Sequence, residues 1–346
     1  MLTADENETL TRVGPGTPMG DWMRLFWLPF YPADGLVADG PPKRVRLLGE
    51  DLVAFRDSDG RPGLLANACP HRGAPLMFGR NEECGLRCVY HGWKFDVDGR
   101  AMDMPAEPER SPMRTKVRAK AYPCRERNGV LWAYLGPDAA PPPLPELEWN
   151  LIPAENVHVS FRVQECNWLQ ALEGEIDSAH APILHGRIDG KGAINDWVAA
   201  QDLRPKFDCR RRDFGVSIAA RRVVDAATHY WRVNQFLAPF WTLVPPQSKY
   251  PELSGHAWLP MDDEHTLCLM FSYTPAGPLY PRTRELLAEG HKGRETGHAS
   301  RHCYNPKPPT TPYADFWTKF SPETGYGFDY ESQRTSWFSG LPGLWI

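Results

Sequence analysis

The stretch CPHRGAPLMFGRNEECGLRCVYHGWKF, running from Cys69 to Phe95, decides how the rest of the chain is read. It holds two Cys-His pairs, Cys69 with His71 and Cys88 with His91, in the order C-x-H, sixteen residues, C-x-x-H. Four such donors in one short stretch point to a metal. Zinc fingers use the same residue types but group like ligands, C-x-x-C ahead of a helix that carries H-x-x-x-H. Here each pair mixes one thiolate with one imidazole. That mixing suits a [2Fe-2S] centre in which one iron takes two thiolates and the other two imidazoles, an arrangement that raises the reduction potential above that of an all-cysteine cluster. Pro70, Gly73, Gly85 and Gly92 permit tight loops around the ligands, and Trp93 offers an apolar shield. A structural zinc site is the alternative on the ligand types alone.

Outward from this stretch the chain reads as two domains, which suits a length of 346 residues and 42% hydrophobic content. Thirty-five prolines favour strands, turns and irregular connections over long helices, hence an α+β or mostly β protein. RVRLLGEDLVAFRDSDGRPGLLANA (44–68) alternates apolar and polar residues around a Ser-Asp-Gly hairpin signal, and VLWAYLG (130–136) closes a small all-β domain over 27–140. The proline cluster of 141–149 predicts a semi-rigid linker, with a boundary near Pro145. Beyond it, 157–168, Val216–Val224, Tyr230–Leu237, His256–Leu259 and Thr266–Tyr273 read as strands of a second sheet.

Charge is nearly balanced, 39 basic against 43 acidic residues, so nothing in the totals points to nucleic acid or an anionic membrane. The short basic runs Arg210–Arg212 and Arg221–Arg222 read as solvated strand edges or interface positions, with a basic substrate pocket as the alternative. The N-terminal residues show no secretory signal and no apolar run is long enough to span a bilayer, which predicts a cytoplasmic protein with free thiols or thiolate ligands. Cys84, Cys124, Cys166, Cys209, Cys268 and Cys303 then read as buried inert thiols. GPGTPMG from Gly14 misses the dinucleotide-binding spacing, so no nucleotide site is encoded.

A second constellation lies in EGEIDSAHAPILH (173–185), which places Asp177, His180 and His185 at the spacing D-x-x-H-x-x-x-x-H. A helix is predicted from Asn167 up to Ala181, with Asp177 and His180 on one face. The two histidines would stand roughly 140° apart on an unbroken helix, so Pro182 is expected to bend the chain and bring His185 back. Two imidazoles and an acidic neighbour make most of a 2-His-1-carboxylate site for non-haem Fe(II). A helical His pair is also a common surface or core feature; the cluster motif upstream is what turns the reading toward iron.

The first stretch, down to CPHRGA and YHGWKFD, resembles the Rieske motif, and the two motifs in this order resemble the α subunit of Rieske non-haem iron aromatic-ring-hydroxylating oxygenases. Segments such as ENETLTRVGPGTPMG (6–20), PPKRVRLLGEDLVAFRD (41–57), NWLQALEG (167–174) and GFDYESQRT (327–335) resemble the phthalate dioxygenase type. The resemblance implies an N-terminal segment 1–26 packing on the catalytic domain, a Rieske domain over 27–140, the linker 141–149, and a helix-grip-like catalytic domain over 150–346. Cys69, His71, Cys88 and His91 would ligate the [2Fe-2S] cluster, and His180 and His185 a mononuclear Fe(II). Asp177 matches the aspartate that bridges to a neighbouring subunit's Rieske histidine, because the two centres of one chain lie too far apart in this family; a homotrimer or dimer of trimers follows. Glu173 is a candidate for a supporting role near the iron, with a solvated glutamate as the equal alternative.

The implied reaction is O2-dependent hydroxylation of an aromatic acid, with electrons from NAD(P)H delivered by a separate flavin and iron-sulfur reductase. Lys206 and Arg232 are candidates to meet the anionic substrate, surface placement being the alternative for each. The family's third iron ligand is an aspartate beyond a segment like GLPGLWI, and the sequence given stops at Ile346, which leads to the expectation of a C-terminal truncation. Asp315 and Asp329 match other family positions and are not assigned as that ligand. A Rieske-only electron carrier and a zinc-stabilised binding protein are the rival readings.

Overall fold

In the computed structural model, residues 2–138, 140–190, 202–245, 252–281, 283 and 304–341 are described. Cys303 and the C-terminal stretch 342–346 lie outside them. The chain divides into two units: Met1–Leu151 with Leu259–Leu267 and Pro306–Trp317, and Ile152–Trp258 with Cys268–Asn305 and Thr318–Ile346. Among the described residues no helix is long and apolar enough to cross a membrane.

The first unit holds three small antiparallel sheets. One orders β1 (Trp27–Pro32), β11 (Val130–Tyr134) and β10 (Cys124–Arg127); a second orders β2 (Lys43–Leu47), β3 (Glu50–Arg56), β4 (Pro62–Ala66) and β9 (Ala121–Tyr122); a third orders β5 (Arg80–Glu82), β6 (Gly85–Arg87), β7 (Lys94–Phe95) and β8 (Ala101–Asp103). The hairpin signal at Ser58–Gly60 forms as read from the sequence. Asp57, fully buried, accepts the N–H groups of Asp59 (3.1 Å) and Arg61 (2.8 Å), and Gly60 takes the left-handed φ of 79° that closes the turn. Across that hairpin Phe55 pairs with Gly63, where a Cβ would meet the ring at 2.7 Å, so the phenyl covers the glycine's backbone. The prolines of 141–149 lie along this unit: Trp27 Nε1 donates to Pro142 O (2.7 Å), Arg127 to Pro145 O (3.2 Å), and Trp149 stacks on Trp132. The N-terminal residues 2–26 belong to the same unit, where Arg12 and the Val13 N–H both bond Asp263.

Glu50 ties three parts of this unit together. Its carboxylate takes Arg24 (2.5 Å), Lys120 (2.6 Å) and the Tyr122 hydroxyl (2.6 Å), with its side chain 14% exposed. Burial alone would raise its pKa, but the Lys120 and Tyr122 hydrogen bonds and the Arg24 charge hold it below the ordinary glutamate value. A folded pKa depressed in this way contributes stability above the unfolded value that is lost as pH falls through the folded one. Glu50→Gln is therefore expected to cost about 1–3 kcal/mol at neutral pH. Denaturant titrations should find the gap to wild type closing below about pH 4; a gap that persists unchanged there would contradict the charged network.

The second unit is built on a seven-stranded sheet in the order β12-β18-β17-β16-β15-β14-β13, where β12 is Val157–Gln164, β13 Lys206–Arg212, β14 Gly215–Val223, β15 His229–Leu237, β16 Trp241–Val244, β17 Leu253–Pro260 and β18 Thr266–Tyr273. All eight residues of β18 are buried and all seven of β13 are exposed. The predicted strands form; β13 and β16 are additions. Sequence alternation is hidden in β13 because neither face is covered, and its alternating charges suit a solvated edge. Of the cysteines expected to be buried, Cys268 on β18 is, Cys84, Cys124 and Cys166 are half-buried, and Cys209 on the solvated β13 is exposed.

The helix Trp168–Ile176 packs on β15 and β16. On β14 to β17 the side chains of Arg222, Arg232, Asn234, Thr242 and His256 are all buried. Register pairs Ala220 with Arg232, Ile218 with Asn234 and Thr242 with His256, and the two-residue alternation puts these polar side chains on one face of the sheet. A buried polar face of this kind must be satisfied by partners from elsewhere in the chain.

Candidate metal centres

The two Cys-His pairs lie on loops with the same backbone design. In the first, Cys69 N–H donates to Ala74 O (2.9 Å) and Gly73 N–H to Cys69 O (2.8 Å); in the second, Cys88 N–H donates to Trp93 O (2.8 Å) and Gly92 N–H to Cys88 O (3.0 Å). Each loop thus closes on its own cysteine, with a glycine four residues on at a left-handed φ of 71° or 73°. That position excludes a Cβ at low cost, which explains both glycines. The histidine comes two residues after the first cysteine and three after the second, yet both rings emerge together, with centroids 4.4 Å apart.

Burial separates the donors by type. Cys69 and Cys88 are 3% and 2% exposed, above a core of Val53, Phe55, Leu65, Leu76, Leu86 and Phe95, whereas His71 is half-buried and His91 exposed. Burial pushes the Cys69 thiol up to about 11, against the N–H groups of His71 and Arg72 that favour the thiolate. Only strong positive charge against the sulfur would hold it as a thiolate at neutral pH. Burial and the neighbouring His91 hold His71 below its ordinary value, and its Nδ1 is a buried atom with no hydrogen-bond partner, free to serve as a ligand. Trp93 stacks on His71 at 4.3 Å and 11°, and Tyr90 leans on His91 at 3.9 Å.

The donors are sorted by type: two sulfurs lie inside and two imidazoles outside, which fits a [2Fe-2S] cluster in which one iron takes the thiolates and the other the imidazoles. Arg87, which motif reading passes over, braces the outer loop: it donates to Gly92 O (2.8 Å), Asp103 (2.7 Å) and Glu82 (2.7 Å).

The second constellation forms by a different route from the predicted one. The helix starts at the Asn167 cap, whose side chain takes the Leu169 N–H, and stops at Asp177, which turns extended at φ −73°, ψ 122°. Asp177 then accepts the N–H groups of Ala179 (2.8 Å) and His180 (3.0 Å) and lies 3.1 Å from His180 Nδ1. A short helix, Ala181–Leu184, follows with Pro182 in its first turn, His180 as its N-cap and His185 as its C-cap. The bend is therefore made by the Asp177 carboxylate, and Pro182 begins a new turn, where its missing N–H costs nothing. The imidazoles of His180 and His185 come to 5.4 Å between centroids. This arrangement suits a shared metal held by two ring nitrogens, with Asp177 orienting the first.

Other sequence candidates divide. Glu173 is exposed on its helix, Lys206 is exposed on the edge strand, and Arg232 is 4% exposed on the helix-facing side of β15. Glu175, not singled out in the sequence, is the helix carboxylate that turns inward: it lies 2.9 Å from His256 Nδ1. Burial would raise its pKa, yet His256 and Arg162 hold it below the usual carboxylate value. Arg222, read in the sequence as half of a solvated pair, is fully buried, because β14 alternates and only Arg221 turns outward. Asp329 caps the helix Tyr330–Thr335 through the Ser332 N–H, and Asp315 bonds Lys43 and Tyr31, so both carboxylates are used structurally.

Comparisons with known proteins bear on both centres. Residues 26–123 match the Rieske [2Fe-2S] domain family, and residues 133–278 match the family described as LigXa C-terminal domain like. The chain is 41% identical over 277 residues to the oxygenase subunit of 3-chlorobenzoate-3,4-dioxygenase of Comamonas testosteroni, covering 79% of this chain and 64% of that one. It is 44% identical over 280 residues to the oxygenase subunit of phthalate 4,5-dioxygenase of Pseudomonas putida, covering 77% and 63%. The chain thus spans somewhat under two thirds of the length of these relatives. In fold it is similar to crystalline dicamba monooxygenase (TM-score 0.60, 19% identity, 77% and 82% covered) and to the terminal oxygenase of carbazole 1,9a-dioxygenase from Novosphingobium (0.59, 20%, 84% of each). Residues 26–123, with the twin Cys-His loops, thus belong to the Rieske [2Fe-2S] domain family, and residues 133–278 of the same chain to the LigXa C-terminal domain-like family.

Proposed function

We propose that this chain is the oxygenase component of a system that hydroxylates an aromatic acid with O2, using electrons from NAD(P)H that a separate flavin and iron-sulfur reductase delivers. The observation that carries the reading is the coexistence of the twin Cys-His loops with the Asp177, His180, His185 turn. Cys69, His71, Cys88 and His91 would hold the cluster, and His180 and His185 the mononuclear Fe(II). When bound, the cluster supplies single electrons and the iron activates O2. His91 is the solvent-facing imidazole under Tyr90, the natural exit for an electron. The Asp177 side chain is 39% exposed beside His180, so one edge of it is open to His91 of the partner subunit in a homotrimer or a dimer of trimers.

Support for an acidic substrate comes from the helix-facing side of the sheet. Arg232 is buried on it, a cation in surroundings of low dielectric that strengthen its attraction for an anion. Arg232 is the proposed contact from this face; Lys206, on the solvated edge, is the weaker candidate for the same role. The relatives are named for phthalate and 3-chlorobenzoate, both aromatic acids. Crystals of the carbazole system hold the oxygenase with a ferredoxin, in keeping with an external electron donor here. Residence in the cytoplasm, where the reductase and NAD(P)H are found, completes the proposal.

Iron and sulfide analysis of the full chain, followed by O2 uptake with a phthalate-type reductase and phthalate or 3-chlorobenzoate, tests this reading. An oxygenase is expected to show the Rieske absorption, iron beyond the two atoms of the cluster, and substrate-dependent O2 uptake. Iron for the cluster alone, with no substrate-dependent uptake, would instead mark an electron carrier.

A further inference from the structure

Arg222 stands on β14 opposite Tyr230 and is 0% exposed. Its guanidinium donates to the Ser178 carbonyl, to Ser178 Oγ (3.2 Å) and, through Nε, to Asp202 O (3.1 Å). Asp202 is itself fixed to the same strand, since its carboxylate accepts the Val223 N–H at 2.8 Å. Ser178, 5% exposed, is the one residue between Asp177 and the Ala179 and His180 N–H groups that the Asp177 carboxylate accepts. Two further buried side chains hold the chain just before it: Asn234 Nδ2 donates to Ile176 O (2.9 Å), and His256 pairs with Glu175.

Glu175, Ile176 and Ser178 are thus each tied to a different strand, β17, β15 and β14. Asp177, between them, has its carboxylate on the Ala179 and His180 N–H groups and beside His180 Nδ1. We propose that Arg222 is a positioning residue for the mononuclear metal site: by clamping Ser178 from beneath, it fixes the turn that aims the Asp177 carboxylate and the His180 ring. This rests on the iron reading of His180 and His185 given above. An arginine is required because its planar fork reaches the carbonyl and the hydroxyl of one residue together, whereas a lysine ammonium is a single point that holds one of them well. Without the guanidinium, the buried Ser178 carbonyl has lost its donor, and the turn relaxes to find another.

Anaerobic Co(II) titration of the full chain, freed of mononuclear metal, tests this, with affinity read by calorimetry and ligand geometry by magnetic circular dichroism. Arg222→Met is expected to weaken Co(II) binding about 10–100-fold and to change the ligand-field spectrum at saturation, with cluster content unchanged. Arg222→Lys should recover part of the affinity, and Arg221→Met, on the outward side of the same strand, should match wild type. Wild-type affinity and spectrum in a folded Arg222→Met protein would overturn the proposal. If that variant does not fold, Arg222→Lys decides: a several-fold loss with an altered spectrum supports the clamp, and wild-type binding overturns it. Co(II) binding that His180→Ala leaves untouched in the otherwise unaltered chain would remove the iron site itself, and the clamp with it.

Discussion

Cys88→Ser is expected to abolish the iron-sulfur absorption and the reduced-state EPR signal of the full chain. The reason lies in where the sulfur sits. Cys88 is 2% exposed and faces Cys69 over an apolar floor that includes Leu86, Phe95 and Met104. A serine alkoxide is far too basic to form there, so the inner iron would lose one of two anionic ligands with no replacement from solvent. The hydroxyl left behind is buried and costs roughly 1–3 kcal/mol if it finds no partner. Iron and sulfide content should fall together, because a two-iron cluster does not survive on three ligands at a site whose water access is this low. A serine variant that keeps wild-type sulfide and a rhombic EPR signal would mean that the inner iron is ligated by something other than Cys88.

The His side of the cluster follows the opposite logic. His71 and His91 face outward, one stacked on Trp93 and the other under an exposed Tyr90. The sequence order of mixed pairs indicates which donors are involved, but it says nothing of this polarity. The polarity follows from core residues on either side of each cysteine, visible only once Leu86 and Phe95 of the sheet and Leu76 of a short 3-10 turn are seen to share one core with both cysteines.

What a one-dimensional pattern carries depends on how local its cause is. The Asp57 to Gly60 hairpin, the alternation of β2, and the two glycines after the cysteines are decided within a few residues, and each is legible. The helix end is local too, yet it misleads. Asn167 to Ala181 reads as continuous helix because its residues are good helix formers, and the competing event is one carboxylate: Asp177 captures the next backbone N–H groups and ends the helix at Ile176, five residues early. The same helix carries Glu173 outward and Glu175 inward against His256, a difference that the run of helix formers does not reveal.

Arg222 marks the limit of such reading. Its neighbour Arg221 has the same charge and a different fate, and nothing in the RR pair says which one is buried. The answer lies 44 residues away, in a Ser178 carbonyl that needs a donor. Buried charges are paid for by remote partners, and remote pairing is what a single sequence hides.

Asp177→Asn is expected to separate the two centres functionally while leaving both folded. In the native turn, one carboxylate oxygen takes the Ala179 N–H and the other takes the His180 N–H and lies 3.1 Å from His180 Nδ1. An asparagine can reproduce only one half of this. If its carbonyl keeps the Ala179 N–H, its amide N–H2 is set against the His180 N–H, donor to donor, and the His180 ring loses the anion that orients it. Under the proposed function the same carboxylate is the step between His91 of the partner subunit and His180, so its charge and its aim are both lost. Reduction of the cluster by the reductase should proceed as in wild type, because that surface is untouched. Reoxidation of the reduced cluster in the presence of O2 and substrate should slow by about 100-fold or more. Stopped-flow absorbance at the Rieske band separates the two phases. Glu173→Gln, on the exposed side of the same helix, is expected to leave both within a factor of about two, since surface changes away from such networks have small effects. If Asp177→Asn reoxidises as fast as wild type, the electron does not pass this carboxylate, and the partner-subunit route has to be abandoned in favour of transfer within one chain.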